Sequence, residues 1–213
     1  MLTKKYDREL GIRTGGLREW DGHSHYNRYE ATPYEALEIL FQSYNIERHS
    51  RVVDFGCGRG RVAFYIHKRF RIPVVGIEAH ETTYLEALQN KSSYRLKAKH
   101  IAAPILFEYG LAEHYEVQPE DTCFYFFNPF SDRVFAKVLR NIMTSVKKAP
   151  RIIDLILFYP LPKYKKVVKK YPFRKLNKVR VPGAQDAFDK FIIYRLQEEA
   201  LQDSADDAAV GSM

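Results

Sequence analysis

The sequence predicts a three-layer α/β fold with a mostly parallel, seven-stranded sheet that an antiparallel hairpin closes. Two observations predict it. From residue 32 onward, short apolar segments with strand character alternate with segments of helical spacing, and this alternation is typical of a parallel sheet covered by helices on both faces. Near the end, two alternating segments, residues 173–181 and 187–196, flank the run Pro182-Gly-Ala-Gln-Asp186, which is typical of a hairpin connection.

Each element has its own signal in the sequence. Thr32-Pro33-Tyr34-Glu35 has the residue types of a helix start, with Thr32 as the N-cap and proline at the first helical position. Further helices are predicted where apolar residues recur every three or four positions, and strands where short apolar runs occur. The predicted strands are residues 51–55, 73–78, 105–109, 122–127 and 151–159, and the further helices are residues 62–70, 82–103, 132–147 and 163–170. Residues 122–127 do not alternate in polarity, which indicates a strand buried on both faces.

We interpret the chain of 213 residues as one globular domain with two appendages. The domain spans residues 29–197, an N-terminal arm rich in Gly, Arg and His spans residues 1–28, and an acidic tail, expected to be flexible, spans residues 198–213. The arm offers few core-like positions, so we expect it to be only partly ordered on the domain. Hydrophobic residues make up 46% of the chain, which argues against wholesale disorder.

The sequence contains no signal for a membrane or a disulfide framework. The longest apolar run, residues 152–162, is too short to span a bilayer, and the first residues lack the apolar core of a signal peptide. Cys57 and Cys123 have neither the number nor the spacing of a disulfide framework or a metal site. We therefore expect a reduced, cytoplasmic protein with no membrane association and no metal.

Charge is spread unevenly over the chain. The net charge is +8, and residues 147–180 contain twelve Lys or Arg and a single acid, whereas residues 198–213 contain five acids and no Lys or Arg. A basic segment of this kind suits an anionic partner such as RNA. The alternative is an ordinary solvated face of a soluble protein.

A glycine-rich motif stands where the first predicted strand meets the following helix. It reads Asp54-Phe55-Gly56-Cys57-Gly58-Arg59-Gly60. Glycines at alternate positions allow a tight turn and a close approach of a ligand to the backbone. Dinucleotide-binding loops have their third glycine three positions after the second, and Arg61 stands at that position here. The motif therefore does not fit an NAD-binding loop.

The chain resembles the class I (Rossmann-like) S-adenosylmethionine (SAM)-dependent methyltransferases over about residues 30–196. The pattern Asp-x-Gly-x-Gly-x-Gly at residues 54–60 matches the family's first motif, Glu78 at the end of the second strand matches its second, and Phe126-Phe-Asn-Pro-Phe130 matches its fourth. The resemblance implies the Rossmann-like methyltransferase fold, SAM as the cofactor and methyl transfer as the reaction.

The resemblance also implies roles for individual residues in cofactor binding. Glu78 would accept hydrogen bonds from the ribose hydroxyls, with an ordinary strand-end acid as the alternative. Asp54 would orient the ammonium group of the methionine part, directly or through water. The loop residues Phe55, Gly56, Cys57, Gly58 and Gly60 would meet that part of SAM, and Leu111 and Ala112 would read the adenine through their backbone. The family often has an acid at the position of Leu111, and Glu113 is a possible substitute.

The resemblance implies that Asn128, Pro129 and Phe130 are the catalytic residues. In amino-methyltransferases the fuller motif is Asn/Asp-Pro-Pro-aromatic, in which the Asn oxygen and a Pro carbonyl accept hydrogen bonds from the target amine and the aromatic ring stacks on the target. This chain departs from the fuller motif in having one proline, and Phe130 would then be the stacking ring. The resemblance implies a nitrogen acceptor, and a simple strand-ending turn is the alternative.

A segment before the first helix of the domain also has a family counterpart. Tyr29-x-x-Thr32 is similar to a segment that folds over the cofactor in some protein-lysine methyltransferases, which implies SAM contacts for Tyr29 and Thr32. The alternatives are a hydrophobic staple and a helix cap. Trp20, His23, His25 and Tyr26 are candidates for a lid near the acceptor.

Three functions remain open at this point. The first is a SAM-dependent methyltransferase acting on a nitrogen of RNA or of a protein lysine, with the basic segment 147–180 contacting the substrate. The second is a small-molecule methyltransferase, and the third is a non-catalytic SAM- or nucleic-acid-binding module on the same fold. The basic segment favours RNA on electrostatic grounds.

Overall fold

The computed structural model describes residues 2–19, 25–183 and 186–197. Among them, seven strands form one sheet in the order β3-β2-β1-β4-β5-β7-β6. The strands are β1 Arg51–Phe55, β2 Val74–Glu78, β3 Ile105–Tyr109, β4 Asp121–Phe127, β5 Asp154–Phe158, β6 Phe173–Arg180 and β7 Lys190–Leu196. The helices are α1 Leu2–Leu10, α2 Tyr34–Ser43, α3 Arg61–Phe70, α4 Glu81–Lys97, α5 Asp132–Lys148 and α6 Pro162–Val168, with a short 3₁₀ helix at Ala112–His114.

The strand directions match the predicted fold class. β1 to β5 are parallel to one another, while β7 is antiparallel to both β5 and β6. The carboxyl ends of β1, β2 and β4 therefore meet at one edge of the sheet, where open α/β sheets bind ligands. The prediction of a mostly parallel, seven-stranded sheet with an antiparallel closing hairpin is confirmed.

Helices cover both faces of the sheet and form two hydrophobic clusters. One cluster joins the sheet to α2, α3 and α4, and the other joins it to α5 and α6. Val52 and Val53 are neighbours in β1 but belong to opposite clusters, because successive side chains of a strand point to opposite faces. Within the described residues, no helix is both long and apolar enough to cross a membrane.

Two predicted helix ends are wrong. Thr32 does not cap α2, since the N-cap position is Pro33 and no side chain caps it; the buried Thr32 hydroxyl instead lies 2.8 Å from the Tyr125 hydroxyl. α4 ends at Lys97 rather than at residue 103. Pro104 disfavours helical backbone at the residue before it, and the intervening residues form the connection to β3.

The N-terminal residues contribute more to the core than the sequence indicates. Leu10 and Ile12 are buried in the first cluster, and the Tyr34 hydroxyl donates a hydrogen bond to Asp7 Oδ1 at 2.7 Å. The expectation that the predicted arm offers few core positions is therefore wrong for these residues. The signal is weak because α1 is mostly polar, and Leu10 is buried only by contact with the rest of the domain. The predicted acidic tail, 198–213, lies outside the described residues.

A buried ion pair joins β5 to β7 and gives a test of the sheet. Asp154 is 5% exposed, and it accepts two hydrogen bonds from Arg195 at 2.8 Å and one from the Tyr44 hydroxyl at 2.6 Å. We expect Asp154→Ala to lower the free energy of unfolding by about 3–5 kcal/mol, because it leaves the guanidinium without its counter-charge. Denaturant unfolding measures this. Lys163→Ala removes an ion pair with Asp132 in which both side chains are more than a third exposed, so its effect should stay within about 0.5 kcal/mol. Equal effects of the two variants would contradict a strongly stabilising role for the Asp154–Arg195 pair.

Candidate functional site

The glycine motif forms the turn between β1 and α3, and close contacts require glycine at its three glycine positions. Gly56 and Gly58 have φ values of +71° and +57°, in the left-handed region that favours glycine. A Cβ at Gly56 would lie 2.4 Å from Pro129 Cβ, and a Cβ at Gly58 would lie 2.0 Å from Tyr29 Cε2. The loop is therefore held between the end of β4 and the segment that precedes α2.

Glu78 lies at the end of β2 and faces the glycine loop. Its Oε2 accepts a hydrogen bond from the Gly58 N–H at 2.8 Å, and its Oε1 accepts one from the His80 N–H at 2.8 Å. Burial raises the pKa of this carboxyl group even though backbone hydrogen bonds act in the opposite direction. Each carboxylate oxygen has a second lone pair, so the group can still accept hydrogen bonds from a ligand.

Asp54 is the residue whose surroundings point most directly to a bound cation. It is 2% exposed, and its Oδ2 has no hydrogen-bond partner among the described residues. Burial, followed by the charge of Glu78, raises its pKa to about 8. A small cavity beside it is lined by Tyr29, Cys57 and Tyr125, among others. An ammonium group placed here would supply the missing partner, so the residues fit the charged methionine end of SAM.

The side chains of Phe55 and Cys57 face the core rather than the cleft. Phe55 is 1% exposed and stacks on Phe126 with ring centroids 5.2 Å apart. Cys57 is 6% exposed, and its Sγ would lie 2.7 Å from a Cβ at Gly76. Burial raises the pKa of the Cys57 thiol well above its ordinary value, so the thiol is neutral. Neither residue lines the glycine-loop cleft, although Cys57 lines the small cavity beside Asp54.

The segment His25–Glu30 lies across the carboxyl edge of the sheet. The Tyr29 ring packs on Gly58, and its hydroxyl donates a hydrogen bond to the Thr14 carbonyl at 2.7 Å. The structure thus places Tyr29 at the glycine loop, while its predicted contact with SAM stays a prediction. His25 accepts a hydrogen bond from the Ser131 N–H at 2.7 Å through its carbonyl. Trp20 and His23, the other half of the candidate lid, lie outside the described residues.

Tyr26 contacts the groups that were predicted to read an adenine. Its hydroxyl accepts a hydrogen bond from the Ala112 N–H at 3.0 Å and donates one to Glu113 Oε2 at 2.7 Å. Leu111, the neighbouring candidate, is half-buried. An adenine at this place would have to share or replace the Tyr26 contacts. These contacts could not be predicted locally, because Tyr26 is more than eighty residues from both partners in the chain.

These elements enclose a glycine-loop cleft at the carboxyl ends of β1 and β2. The cleft is open to solvent. Its lining includes Gly56, Glu78, His80, Gly110, Ala112, Phe127, Pro129 and the residues from Tyr26 to Glu30. It therefore brings the first motif, the strand-two acid and the β3 loop together, as the sequence predicts.

Of the predicted catalytic residues Asn128, Pro129 and Phe130, Pro129 lines the glycine-loop cleft. Asn128 has a φ of +41°, and its Oδ1 is buried without a hydrogen-bond partner among the described residues. The Pro129 carbonyl accepts a hydrogen bond from the Asn27 N–H at 2.9 Å, and the Asn128 carbonyl accepts one from Asn27 Nδ2 at 2.7 Å. The backbone carbonyls of Asn128 and Pro129 thus accept hydrogen bonds from the protein itself. The Asn128 side-chain oxygen is an acceptor without a partner among the described residues.

The prediction that Phe130 stacks on the target is wrong. Its ring is 1% exposed and packs edge-on against Phe126 and Tyr26. The Tyr164 hydroxyl donates a hydrogen bond to the Phe130 carbonyl at 2.6 Å, which anchors the residue to α6. The backbone turns at Asn128. Phe130, two residues later, therefore packs in the hydrophobic cluster that contains α5 and does not point toward the carboxyl edge of the sheet.

A second cleft, the β4–β5 cleft, adjoins the first at the carboxyl ends of these strands. Its lining consists of Glu19, Tyr26, Asn27, Arg28, Glu30, Phe127, Asn128, Tyr159, Leu161 and Asp189. Tyr159 follows β5 directly and has a φ of +52°, as Asn128 does after β4. Sequence reasoning missed Phe127 and Tyr159. The available signal was their position, since each is an aromatic residue at the carboxyl end of a parallel strand.

The basic residues of segment 147–180 do not form one surface. Arg151 lies at the amino end of β4, where it donates hydrogen bonds to the carbonyls of Asp121 and Gln118. At the carboxyl edge, burial and the charges of Lys165, Lys178 and Arg180 lower the pKa of Lys190. Lys190 follows Asp189, which lines the β4–β5 cleft, and it pairs with Arg180 in the sheet. Together with Lys165 and Lys178, whose charges act on Lys190, these two residues are called the edge lysine–arginine group.

The comparison with known proteins identifies the fold. No protein-family model matches the chain, and no curated protein matches its sequence. Solved structures match it: a SAM-dependent methyltransferase from Methanosarcina mazei has 12% identity and a TM-score of 0.56, covering 74% of this chain and 96% of that one. An RNA methyltransferase from Salinibacter ruber, in complex with S-adenosyl-L-homocysteine, has 15% identity and a TM-score of 0.51, covering 78% and 92%.

A third similar structure has a different kind of substrate. The geranyl diphosphate C-methyltransferase from Streptomyces coelicolor has 10% identity and a TM-score of 0.52, covering 78% of this chain and 77% of that one. The chain therefore has the Rossmann-like fold of the class I methyltransferases, and the predicted resemblance is confirmed at the level of the fold. Because the similar enzymes act on both RNA and small molecules, the fold leaves the substrate class open.

Proposed function

We propose that the chain is a SAM-dependent methyltransferase that transfers a methyl group to a nitrogen of a macromolecular substrate. The observation that supports it most is Asp54, a buried carboxyl group with an unpartnered oxygen beside the glycine loop. A fold alone does not define a function, but an unpaired buried acid at the ligand-binding edge of a methyltransferase fold is best explained by a cationic ligand.

The chain's own residues would bind the cofactor from three sides. The backbone of Gly56–Gly60 and the Asp54 carboxylate would hold the amino-acid end, and Glu78 would accept hydrogen bonds from the ribose. Ala112 and Glu113 would serve the adenine end. When bound, SAM supplies an electrophilic methyl group on a sulfonium sulfur. The work of the protein is then to exclude water with the segment His25–Glu30 and to align the acceptor.

Asn128 supports nitrogen as the acceptor atom. Its Oδ1 is buried and unpartnered at the boundary between the glycine-loop cleft and the β4–β5 cleft. An amide oxygen accepts a hydrogen bond from an N–H, which would fix the acceptor and direct its lone pair. The macromolecular part of the proposal rests on the basic residues around the cleft and, for RNA, on the likeness to the Salinibacter ruber RNA methyltransferase. The position of Tyr29 on Gly58 supports the protein-lysine alternative.

Binding and turnover can be separated by one variant. We expect isothermal titration to show one SAM bound per chain, and Asn128→Ala to keep the dissociation constant within about twofold while turnover falls by about 10–100-fold, since one positioned hydrogen-bond acceptor contributes about 1.4–2.7 kcal/mol. Asn45→Ala is the matched control, because Asn45 is exposed and lies at the opposite edge of the sheet.

Two results would contradict the proposal. Absence of SAM binding to the unmodified chain would remove the methyltransferase assignment. Loss of SAM binding in Asn128→Ala would mean that this residue belongs to the cofactor site and does not orient the acceptor.

A further inference from the structure

The β4–β5 cleft has an acidic lining in a basic protein. Three acids line it, Glu19, Glu30 and Asp189, against a single base, Arg28, whereas the whole chain has a net charge of +8. The Arg28 guanidinium has its Nη1 3.8 Å from Glu19 Oε1 and its Nη2 3.7 Å from Glu30 Oε2. It therefore offsets part of the charge of these two acids. Asp189 has no side-chain hydrogen bond or ion pair with any described residue.

The remaining walls of the cleft are aromatic and apolar. Phe127, Tyr159 and Leu161 contribute them. The hydrogen bond to Asp186 and the charges of Asp189 and Glu30 raise the pKa of the Tyr159 hydroxyl, which shows that the field of these acids reaches the tyrosine. Aromatic faces attract cations, and an alkyl stem can pack on the same walls. The cleft therefore combines the features that a long aliphatic side chain with a terminal ammonium requires.

The charges outside the cleft have the opposite sign. Lys190 and Arg180 pair across β6 and β7, and Lys190 follows the cleft residue Asp189 directly in the chain. The charges of the other two members of the edge lysine–arginine group, Lys165 and Lys178, act on Lys190. An RNA substrate would have to bring the phosphates next to its reactive base toward the acids, which costs electrostatic energy. A protein with an acidic surface around one lysine matches both regions, because its acids meet the basic group and its lysine meets the cleft.

We propose that the methyl acceptor is the side-chain amine of a lysine that stands on an acidic protein surface, and that Glu30 and Asp189 select it by its charge. This inference rests on the proposed function and names its substrate class. The lysine ammonium first gives up one proton to solvent. The amine nitrogen then forms a bond to the methyl carbon while the carbon–sulfur bond breaks and its electron pair stays on sulfur, which leaves a protonated methyllysine and S-adenosylhomocysteine.

The first experiment measures binding without any methyl transfer. The isotopically labelled chain is titrated with n-butylammonium chloride, the analogue of a lysine side chain, and with n-butanol as the neutral control. We expect saturable NMR shifts at Phe127 and Tyr159 with butylammonium only. Asp189→Asn combined with Glu30→Gln should weaken this binding by about fivefold or more, the size of a partly exposed charge interaction of about 1 kcal/mol. Glu47→Gln, an exposed acid at the opposite edge of the sheet, is the matched control and should leave it unchanged.

The second experiment identifies the acceptor. The chain is incubated with methyl-labelled SAM and with the protein and RNA fractions of its source cells, each kept apart. The labelled protein is then hydrolysed with acid and compared with methyllysine and methylarginine standards. We expect the label in methyllysine, and about tenfold less of it with the Asp189→Asn/Glu30→Gln variant. Asp189→Asn alone, which changes the β4–β5 cleft but not the glycine-loop cleft, should keep the affinity for SAM within about twofold of that of the unmodified chain.

The outcomes separate this inference from the function on which it rests. Label in RNA, in methylarginine or in neither fraction, with SAM bound, would overturn the lysine assignment and leave the cofactor site standing. Equal methyllysine with the double variant would overturn the roles of Asp189 and Glu30. A chain that binds no SAM and transfers no label would overturn the proposed function and this inference together.

Discussion

Asp54→Asn should abolish SAM binding and at the same time make the chain more stable. The wild-type carboxyl group is buried with one oxygen unpartnered, so folding without a cation is penalised. Asparagine has nearly the same shape and carries no charge. We expect the affinity for SAM to fall by about 100-fold or more, which corresponds to about 3 kcal/mol for removing one partner of a buried ion pair. Isothermal titration measures the loss, and thermal unfolding measures the gain in stability.

The gain in free energy of unfolding of Asp54→Asn over the wild type should increase with pH. The pKa of Asp54 is raised from its ordinary value of 3.8 to about 8 in the folded chain, so between these values the folded state holds a proton that the unfolded state has released. Stability from this group is therefore present below its ordinary pKa, falls by about 1.4 kcal/mol per pH unit as the pH rises, and is fully lost above about pH 8.

Asp54→Asn lacks this slope, which makes the comparison of the two chains informative. The variant's advantage in free energy of unfolding should grow from about pH 5 to about pH 8 and then stay constant. Titrating groups that do not interact with Asp54 affect both chains alike and cancel in the difference, whereas Glu78, whose charge acts on Asp54, contributes to it. An advantage that does not change with pH, or an Asp54→Asn chain that binds SAM as tightly as the wild type, would show that Asp54 does not face the cation.

Gly58→Val should disrupt the site from the other side. Gly58 has a φ of +57°, and an added Cβ would lie 2.0 Å from Tyr29 Cε2, so the substitution strains the backbone and displaces the tyrosine. We expect no measurable SAM binding and a free energy of unfolding lower by about 1–3 kcal/mol. Titration and denaturant unfolding test this, with circular dichroism to show that the fold is retained.

A matched glycine and a double variant identify the cause. A Cβ at Gly15 would meet nothing within 4 Å, so Gly15→Ala should change stability by no more than about 0.5 kcal/mol. If the contact with Tyr29 matters, Gly58→Ala and Tyr29→Ala together should cost less stability than the sum of the two single variants. Strict additivity would place Tyr29 away from the loop.

The local signals in the sequence were enough for most of the fold. Runs of apolar residues located β1 to β5, because a strand buried on both faces must be apolar along its length, and alternation around a hairpin connection located β6 and β7. Motif position located Asp54, Gly56, Gly58 and Glu78, because the carboxyl ends of parallel strands meet at one edge. The helix ends were less certain from sequence, and Thr32 shows the reason. Its hydroxyl could cap α2 locally or contact a distant residue, and in the structure it contacts the Tyr125 hydroxyl.

The sequence by itself determined the class of fold, the edge of the sheet at which the motifs meet, and the two acids, Asp54 and Glu78, that lie there. Only the tertiary structure decided that Phe130 belongs to the core, that Tyr26 and Asn27 contact the β3 loop and the Asn-Pro motif, and that an acidic cleft lies beside basic residues at the same edge. The physical reason is the distance along the chain over which each property is determined. Strand polarity and glycine spacing are local properties that a short window records, whereas the environment of a side chain depends on segments a hundred residues away, whose approach the whole fold decides.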